Sequence, residues 1–316
     1  MSALGNRRLA AKVCEMYYLM DLSQKEISAR LGISRPQICR IISQAKESGL
    51  IEIRIHNPYS DESHLEQSLI NHYQIKDAVV IRTMGATSEE RLSQFSREAA
   101  SYLDTYLSGT SLLGVMSGKT IAYISRHMQS KGRRLSCVLP LVGGIGSDNA
   151  DLHANAVAMH IAREYNADSL VLNAPLMVSS PEAANILRQE ASIANVLDKG
   201  RRCDVALVGI GNLDAHSAPV RAGGMQPEDI ATLQSNGAVC SICNSYFDAS
   251  GSAVDVLAPR SIGLSLGELK RGKVIACALG KSKVNSIRAA LQTRRVDVLM
   301  TDVETASLLL DAAPSQ

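Results

Sequence analysis

The sequence is poor in aromatic residues and has no long apolar run. It contains no Trp and two Phe, and aromatic residues make up 3% of its 316 positions. Aliphatic side chains must therefore form the core, and an apolar fraction of 46% predicts globular folding. No apolar run reaches the roughly 18 residues of a membrane helix, and the N-terminus has no signal-peptide core. We therefore expect a cytoplasmic protein without a membrane partner.

Patterns typical of disulfide scaffolds, metal sites and hydrolases are also missing. The seven Cys are scattered and odd in number, which favours reduced thiols. Cys240 and Cys243 lie in a predicted strand, where residues three apart face opposite sides of a sheet. His153 and His160 are roughly 10 Å apart along a helix, too far to share a metal ion. No Gly-x-Ser-x-Gly elbow or His-Glu-x-x-His helix is present, so we expect no metal, no cofactor and no catalytic residue.

The length and the charge distribution predict two domains of different character. A chain of 316 residues exceeds one typical domain of about 150 residues. Residues 1–58 carry nine Lys or Arg and five Asp or Glu, a net charge of +4, whereas the remainder carries −2. A basic N-terminal module on a slightly acidic body is consistent with contact to DNA phosphates at one end only.

Residues 24–48 show the signals of two short helices joined by a tight turn. Ser23 followed by Glu26 is a capping box, which satisfies backbone N–H groups at a helix start. Gly32 permits the left-handed turn that ends this helix. Ser34 is placed to cap a second helix, and Pro36 lies in its first turn, where a missing N–H costs little. The order cap, turn, cap is typical of a helix-turn-helix.

The second of these helices is amphipathic, and its polar face has the chemistry of base recognition. Its apolar face is formed by Ile38, Ile41, Ile42 and Ala45, spaced i, i+3, i+4, i+7. Arg and Gln on the other face are side chains that can bind base edges in the major groove. The predicted DNA-binding residues are Gln24, Ser34, Arg35, Pro36, Gln37, Arg40 and Gln44. The alternative is an ordinary helical hairpin with a solvated charged face. The caps, the turn, the buried stripe and the polar face all lie in one window, which favours a DNA-binding helix-turn-helix.

The segments around this motif predict the rest of the first domain. Residues 7–20 have a helical apolar stripe that would pack on the two helices. Residues 51–55 alternate Ile with polar side chains, which predicts a half-buried strand and the wing of a winged helix. A breaker cluster at 57–61 places the boundary, giving domains 1–57 and 58–316. The next apolar stripe, on Leu65, Leu69 and Tyr73, fits a linker helix, a dimer contact or the first element of the second domain.

The second domain alternates short aliphatic runs with helical patterns. Continuous hydrophobic strands between helices predict a parallel sheet covered on both faces, in an α/β fold. The predicted strands are 78–81, 111–115, 137–141, 169–172, 205–208, 274–278 and 296–300. The predicted helices are 88–107, 120–130, 153–165, 182–188, 283–291 and 304–311. Segments 238–247 and 252–257 instead predict an antiparallel hairpin with its tip at 248–251.

Glycine-containing loops follow several of the predicted strands, where open parallel sheets bind ligands. Residues 114–120 resemble a phosphate loop, but the spacing is one residue too short for a nucleoside triphosphatase. Lys119 and Thr120 would still add a charge and a hydroxyl donor beside a helix start, which favours an anion. Residues 143–146 and 280–283 form similar loops. Asp248 could accept hydrogen bonds from a sugar hydroxyl, although spacing alone favours a turn residue.

Taken in order along the chain, these motifs resemble the SorC family of sugar-responsive transcriptional regulators. The resemblance rests on 23–40, 50–55, 114–120, 140–146, 205–211, Phe247-Asp248 with Gly251, 260–264, Gly280 with Lys283, and 301–306. It implies a winged-helix-like domain and a larger Rossmann-like α/β effector domain, similar to sugar-phosphate isomerases and acyl-coenzyme A transferases. It also implies a dimer or tetramer and a phosphorylated sugar or polyol as effector. The implied effector residues are Ser117, Gly118, Lys119, Thr120, Gly143, Gly144, Asp248 and Lys283.

The sequence therefore predicts a transcriptional regulator that binds double-stranded operator DNA and responds to a phosphorylated sugar. One alternative is a sugar-phosphate isomerase or transferase-like enzyme with a DNA-binding appendage, since fold does not fix function. Such an enzyme would need a positioned general base, for which Asp248 is the available candidate. The other alternative is an architectural DNA binder whose body binds no metabolite.

Overall fold

A computed structural model describes residues 3–54, 56–144, 150–214, 220, 224–269 and 272–311. By its internal contacts the chain separates into two compact units, 1–58 and 59–316, one residue from the division expected from the breaker cluster. Among the residues described, no helix combines the length and the apolar character that crossing a bilayer requires.

The described residues of the N-terminal unit form three helices: α1 Ala3–Tyr18, α2 Gln24–Leu31 and α3 Arg35–Glu47. Their buried core contains Val13, Met16, Ile27, Ile38, Ile41 and Ile42. The apolar stripe predicted for α3 is thus buried, with Ile38 fully inaccessible. The first helix starts earlier than the predicted 7–20 and ends two residues sooner, where the chain turns back and the Leu22 amide donates to the Met16 carbonyl at 3.0 Å.

The helix ends follow the capping signals with one exception. The capping box of Ser23 and Glu26 is present, and Gly32 ends α2 in the left-handed region at φ 66°. Pro36 lies in the first turn of α3, as predicted. Ser34 is the residue before α3, but its side chain makes no capping hydrogen bond, so the predicted role of its hydroxyl is wrong.

The predicted wing strand is not formed at residues 51–54. These residues have no regular secondary structure, and Ile53 is 54% exposed instead of half-buried. Arg54 and Glu52 make an exposed ion pair at 2.8 Å. A strand is stable only beside a partner strand. Residues 3–54 contain no such strand, so the segment 51–54 stays irregular despite its alternation of Ile with polar residues. The last predicted residue, Ile55, lies outside the described residues.

The second unit begins with α4, Ser60–Tyr73, which packs on the first strand and on the last helix of the chain. Its stripe is buried at Leu69 and Tyr73. The Tyr73 hydroxyl donates to the Leu309 carbonyl at 3.0 Å. Of the three roles left open by the sequence, this helix is therefore the first element of the second unit.

Nine strands of the described chain form one sheet, most of it parallel. The strands are β1 Asp77–Ile81, β2 Leu112–Val115, β3 Cys137–Pro140, β4 Asp168–Ser169, β5 Val205–Asn212, β6 Cys240–Ile242, β7 Ser245–Phe247, β8 Lys273–Cys277 and β9 Val298–Asp302. The order is β1-β9-β8-β5-β2-β3-β4, and β6 pairs antiparallel with the end of β5 and with β7. The chain moves outward from β2 through β3 to β4, then returns to the other side of β2 at β5.

Helices cover both faces of this sheet. After α4, the described residues of the second unit form α5 Ser88–Tyr106, α6 Lys119–Ser125, α7 Ala154–Glu164, α8 Pro181–Gln189, α9 Ala191–Gly200, α10 Pro227–Ser235, α11 Val284–Gln292 and α12 Val303–Asp311. Successive residues of one strand enter different cores: Ala78 and Val80 face one, Val79 and Ile81 the other. This two-sided burial explains the continuous apolar runs and confirms the predicted α/β class.

Two parts of the predicted sheet are wrong. The strand predicted at 169–172 is reduced to the two-residue edge strand β4. The segment predicted as one strand, 238–247, contains the antiparallel pair β6 and β7, which reverses at Cys243 and Asn244, with Cys243 at φ 55°. The chain also reverses at 248–251, as predicted, and the Asp248 amide donates to the Ser252 carbonyl at 3.0 Å. The segment predicted as the second arm contributes a single bridge between Phe247 and Ala253.

Candidate DNA interface and effector site

Helix α3 presents a polar face opposite its buried stripe. Arg35, Gln37, Arg40 and Gln44 are all exposed. Ser34 and Pro36 are exposed at the start of the helix, whereas Gln24, at the start of α2, is half-buried. Cys39 is also exposed on this helix, although it was not among the predicted DNA-binding residues. Exposed Arg and Gln on the second helix of such a pair are what insertion into a major groove requires.

The turn before α3 is fixed by a short side-chain hydrogen bond. The Ser28 hydroxyl, on α2, donates to the Ile33 carbonyl at 2.6 Å. At the other end of α3, the Lys46 ammonium lies 5.8 Å from the centre of the Tyr18 ring of α1. Both ends of α3 are therefore held by the other two helices, so its polar face is presented by a rigid support.

In the second unit, the strand order reverses between β5 and β2, and a cavity of about 680 Å³ lies at the carboxyl ends of these strands. In open α/β sheets, such a reversal separates the loops and leaves a crevice for ligands. We call this space the effector cavity. It is lined by the loops after β2, β5 and β8, the junction of β9 with α12, the start of α5, and the β6–β7 hairpin.

The loop after β2 supplies four of the predicted residues: Ser117, Gly118, Lys119 and Thr120 all line the effector cavity. Gly118 precedes α6 with φ 129° and ψ 156°, a backbone region that is essentially restricted to glycine. Its amide donates to the Leu152 carbonyl at 2.9 Å. The first N–H groups of α6 therefore begin at the cavity wall, where a helix leaves its amides without intrahelical partners.

The loop after β8 repeats this arrangement. Gly280 has φ 107° and ψ 140°, and the short turn Lys281–Lys283 then leads into α11. The Gly280 amide donates to the Thr305 hydroxyl at 2.8 Å, which ties the loop to α12. Lys281 and Lys283 both line the effector cavity.

Among the cationic residues at the cavity, Lys283 is distinguished by an ammonium group that is largely withdrawn from water. Its ammonium donates to the Ile210 carbonyl, at the end of β5, at 2.9 Å. Burial lowers the pKa of Lys283, and Asp214 opposes this effect by Coulomb attraction. A desolvated ammonium gains more from a bound anion than an exposed one does.

Lys119 borders the same cavity but remains at the surface, with 49% of its side chain exposed. Its ammonium is 3.5 Å from a carboxylate oxygen of Glu89, at the start of α5. The Tyr123 hydroxyl also donates to Glu89. Both contacts lower the pKa of Glu89, the Tyr123 bond more than Lys119.

Carboxylates also reach the effector cavity, so it is not uniformly basic. Asp214, Asp302 and Glu304 are among its lining residues. Asp302 accepts from the Thr305 amide at 2.9 Å, and Glu304 is 3.5 Å from Lys281. The Asp302 carboxylate thereby accepts from a backbone amide in the first turn of the last helix. A lining with both signs suits a ligand that has an anionic end and a hydroxylated end.

Gly143 and Gly144 are not among the residues that line the effector cavity. The Gly143 amide donates to the Ile262 carbonyl at 2.9 Å, and an added Cβ would meet the Pro175 carbonyl oxygen at 2.5 Å. The Gly144 amide donates to the Ala174 carbonyl at 3.0 Å. Gly143 is thus needed for close backbone packing. Ile145 and Gly146, which complete the predicted loop, lie outside the described residues.

Asp248 does not line the effector cavity either. One of its carboxylate oxygens accepts from the Ser250 amide at 2.8 Å, the Ser250 hydroxyl at 2.7 Å and the Ser252 amide at 2.9 Å. These bonds, the one from the Ser250 side chain most strongly, lower the pKa of Asp248. The carboxylate therefore closes its own turn, which is the alternative that spacing alone favoured.

Several cavity residues were missed by the sequence argument. They include Arg91, Asn212, Asn244 and Tyr246. Asn212 donates to the Ser282 carbonyl at 3.1 Å and accepts from the Ser286 hydroxyl at 2.8 Å, joining β5 to the Lys283 loop. Burial raises the pKa of Tyr246 to about 12, so its hydroxyl stays protonated. No local motif distinguishes these residues, because their roles arise from strands and helices distant in sequence.

Among the described residues, no group of three or more His, Cys, Asp or Glu is arranged to hold a metal ion. Cys240 and Cys243 are buried thiols. Desolvation raises the pKa of Cys240 to about 12, and burial also raises the pKa of Cys243. These thiols are therefore protonated packing groups.

Comparison with known proteins gives a match for each of the two units. Residues 57–311 match the family model described as "Putative sugar-binding domain", and residues 10–48 match the model described as "Sigma-70, region 4". The sorbitol operon regulator of Klebsiella pneumoniae is 28% identical, over 96% of this chain and 98% of that protein. The transcriptional regulator LsrR of Enterobacter sp. (strain 638) is 30% identical, over 98% of this chain and 95% of that protein.

A solved structure extends the agreement to the fold. The crystal structure of the full-length sorbitol operon regulator SorC from Klebsiella pneumoniae matches with a TM-score of 0.73 and 27% identity, covering 97% of this chain and 99% of that one. These relatives are transcriptional regulators, so the prediction of a regulator is confirmed and the enzyme alternative is not supported. The chain belongs to the SorC family of transcriptional regulators, in which a helix-turn-helix precedes a sugar-binding domain.

Proposed function

We propose that a phosphorylated sugar or polyol binds in the effector cavity and thereby changes the affinity of the helix-turn-helix unit for its operator. The observation that carries this proposal is the meeting of two lysine-bearing loops at one cavity, those of Lys119 and Lys283. The volume of about 680 Å³ lies within the roughly 300–1,000 Å³ typical of small-molecule sites.

Phosphate is the anion that this arrangement suits best. Lys119, exposed, and Lys283, desolvated, supply two ammonium groups, and the first turn of α6 adds backbone N–H donors. A phosphate group has three oxygens and carries enough charge to accept from both lysines at once. The proposed anion contacts are therefore Ser117, Lys119, Thr120 and Lys283, whereas Gly118, whose amide already donates to the Leu152 carbonyl, shapes the loop.

The remainder of the cavity suits a hydroxylated carbon chain. Ser241, Asn212 and Asp214 lie among its lining residues, beside apolar groups such as Met116 and Leu176. Hydroxyls can both donate to carboxylate and amide oxygens and accept from amide N–H groups. Two of the relatives are named for polyol regulation, a sorbitol operon regulator and an erythritol catabolism regulatory protein, which supports a sugar or polyol as the effector class.

On the DNA side, we propose that Arg35, Gln37, Arg40 and Gln44 contact bases from the major groove. Ser34, Pro36 and Gln24 would lie beside the backbone at the start of the helices. One helix-turn-helix reads only a few base pairs, so a regulator of this kind requires two copies on related half-sites. We therefore propose that the protein acts as a homodimer or a higher oligomer.

The test of the effector proposal is a binding screen with the full-length protein. Thermal unfolding would be followed with sugar and polyol phosphates, each beside its unphosphorylated counterpart and inorganic phosphate. A true effector at about 100 times its dissociation constant should add about 2.7 kcal/mol to the free energy of unfolding. The effector identified in this way would then be titrated against the protein bound to duplex DNA selected from a random pool.

The matched variant is Lys283→Ala, with Lys76→Ala as control. Lys76 is exposed just before the edge strand β1, pairs with Asp297 at 2.6 Å and does not line the effector cavity. We expect Lys283→Ala to remove the effector response while DNA binding without effector stays near normal. If the free sugar acts as well as its phosphate, the effector does not need a phosphate and the phosphate proposal fails. If Lys283→Ala responds as the Lys76→Ala protein does, Lys283 does not bind the effector.

A further inference from the structure

We infer that Asn244 reads one hydroxyl group of the effector and so determines which sugar or polyol the protein accepts. This inference rests on the proposed function, because it assigns a role within the same effector cavity. Its basis is a buried amide that is oriented by the protein on one side and left without a donor on the other.

Asn244 is held firmly at the reversal between β6 and β7. Its side chain is 7% exposed and lines the effector cavity. Its backbone amide donates to the Leu264 carbonyl at 3.2 Å. The preceding residue, Cys243, is in the left-handed region at φ 55°, which makes the tight reversal possible. The position of this side chain is thus set by the backbone of two segments.

Hydrogen bonds fix which way the amide is turned. The Asn244 side-chain nitrogen donates to the Ser261 hydroxyl oxygen at 2.8 Å and to the Gly263 carbonyl at 3.4 Å. A carbonyl can only accept, so the group facing Gly263 must be the NH₂. The Ser261 hydroxyl gives its own proton to the Ala258 carbonyl at 3.1 Å, which leaves it an acceptor toward Asn244. Both partners therefore require the same orientation.

The amide oxygen is then directed away from these partners. Oδ1 of Asn244 is buried and has no hydrogen-bond partner among the described residues. A buried acceptor without a donor costs free energy, and most such groups in folded proteins are satisfied. Because Asn244 also lines the cavity, a ligand that occupies the cavity is the natural source of the missing donor.

The chemistry of that donor can be stated. Phosphate oxygens at neutral pH act mainly as acceptors, so the anionic end of the ligand does not match Oδ1. A sugar or polyol hydroxyl has a proton to donate and is neutral. The ligand would thus be bound at two ends, its phosphate by the lysine loops and one hydroxyl by Asn244. A site built to bond a hydroxyl rejects analogues that lack it, because its own polar group is then left unpaired.

The experiment combines a side-chain deletion with a ligand deletion. Calorimetry with the full-length protein would first find the tightest binder among glucose 6-phosphate, fructose 6-phosphate, ribose 5-phosphate and sorbitol 6-phosphate. Deoxy analogues of that probe, each lacking one hydroxyl, would then be measured on the wild type and on Asn244→Leu. We expect one hydroxyl whose loss weakens binding to the wild type roughly ten- to hundred-fold, yet changes binding to the variant less than about twofold.

A matched control separates recognition from general loss of stability. Asn155 is a second asparagine with both amide atoms satisfied, donating to the Leu172 carbonyl at 3.2 Å and accepting from the Leu172 amide at 2.9 Å. Asn155→Leu should lower the melting temperature without changing the ranking of the deoxy analogues. If Asn244→Leu does not fold, Asn244→Ala serves the same measurement.

The outcomes distinguish this inference from the proposed function. One contrary result is an Asn244→Leu protein that discriminates among the analogues as the wild type does, or that binds all of them more weakly by the same factor. In either case Asn244 does not recognise a hydroxyl of the effector, and a buried water satisfies Oδ1. If the wild type binds none of the phosphorylated probes but binds free sugars, the phosphate proposal fails, and Asn244 is judged on deoxy analogues of the free sugar. If the wild type binds neither, the effector proposal fails and the inference falls with it.

Discussion

At the scale of single residues, Arg40 is the side chain on which the DNA proposal can be tested most directly. It is exposed on the polar face of α3, where a guanidinium can bind a guanine edge through two hydrogen bonds. We expect Arg40→Ala to weaken binding to the selected operator by about 1–3 kcal/mol and to relax sequence preference at one position. Fluorescence anisotropy with operator and scrambled duplexes measures both effects.

The control for this substitution is Arg8→Ala, which removes the same charge from an exposed position on α1. Loss of charge alone should weaken operator and scrambled duplex alike, because phosphate attraction carries no sequence information. An Arg40→Ala protein with the same ratio of the two affinities as Arg8→Ala would mean that Arg40 does not contact bases.

The lowered pKa of Lys283 predicts a proton linkage for effector binding. In the free protein, the cost of burying the charged amine is fully present below the lowered pKa and disappears above the ordinary value of 10.5. A bound phosphate dianion favours the charged amine and raises its pKa again. Binding at a pH between the lowered value and 10.5 should therefore take up a proton.

Calorimetry in two buffers of different ionisation heat measures this uptake directly. We expect the uptake to be lost in Lys283→Met, which keeps the length of the side chain but has no charge. Below about pH 6 the phosphate itself becomes protonated, and affinity should fall for that separate reason. Equal heats in both buffers across the alkaline range would argue that Lys283 does not contact the anion.

Some of these residues could be found from the sequence and others could not. Lys119 and Lys283 follow buried strands in short Gly-containing loops, and parallel strands bring such loops to one edge of the sheet. Asp248 follows a strand as well, but one of its carboxylate oxygens accepts from Ser250 and Ser252 and closes a local turn. Asn244 carries no local signal, because its orientation depends on Ser261 and Gly263, which come from a distant segment.

At the scale of elements, the loops in which Gly118 and Gly280 precede a helix can be tested by substitution. Gly118 has positive φ, yet an added Cβ would meet nothing within 4 Å, so the demand is on the backbone and not on space. Gly118→Ala should cost about 1–3 kcal/mol in the free energy of unfolding, or force the loop out of place and weaken effector binding. Urea denaturation and calorimetry distinguish these two results.

Gly267→Ala is a suitable control for this substitution. Its φ is not in the left-handed region, and an added Cβ would approach only the Ser265 hydroxyl, at 3.9 Å. We expect it to leave both stability and effector affinity nearly unchanged. A Gly118→Ala protein with the same behaviour would show that the loop tolerates an ordinary residue and that its conformation does not require glycine.

Secondary structure was predictable where burial on two faces imposed a pattern. The central strands and α5 were predicted correctly because continuous apolar runs and a long helical pattern each favour one kind of element. Helices α9 and α10 were not predicted, and β4 is shorter than expected. The periodicity of α10 is weak, whereas Ile193, Val196 and Leu197 of α9 form a buried helical stripe that the prediction overlooked. The wing at 51–54 was predicted from alternation alone, and alternation does not reveal whether a partner strand exists.

At the scale of the whole molecule, the regulatory proposal makes a thermodynamic demand. If the effector lowers operator affinity by some factor, the operator must lower effector affinity by the same factor. We expect calorimetric titrations of the effector, with and without saturating operator duplex, to differ by the ratio found in the DNA titrations. Different ratios would mean that the two ligands do not share one conformational equilibrium.

The proposed oligomer is tested by sedimentation velocity with and without operator. We expect at least a dimer bound to one duplex, because a single α3 contacts too few base pairs for useful specificity. The selected operator should then contain two related half-sites about one helical turn, or a multiple of it, apart. A monomer that binds a single half-site tightly and alone would contradict this expectation.

The order of the strands also bears on how the protein emerges from the ribosome. Strand β1 is hydrogen-bonded only to β9 within the described sheet, and Tyr73 beside it donates to Leu309, 236 positions later. At about 5–20 residues per second, that interval takes roughly 10–50 s to synthesise. The helix-turn-helix depends on contacts among residues 3–54 and can fold early in this time. We expect the nascent chain to acquire its DNA-binding unit well before the sheet that governs it is complete.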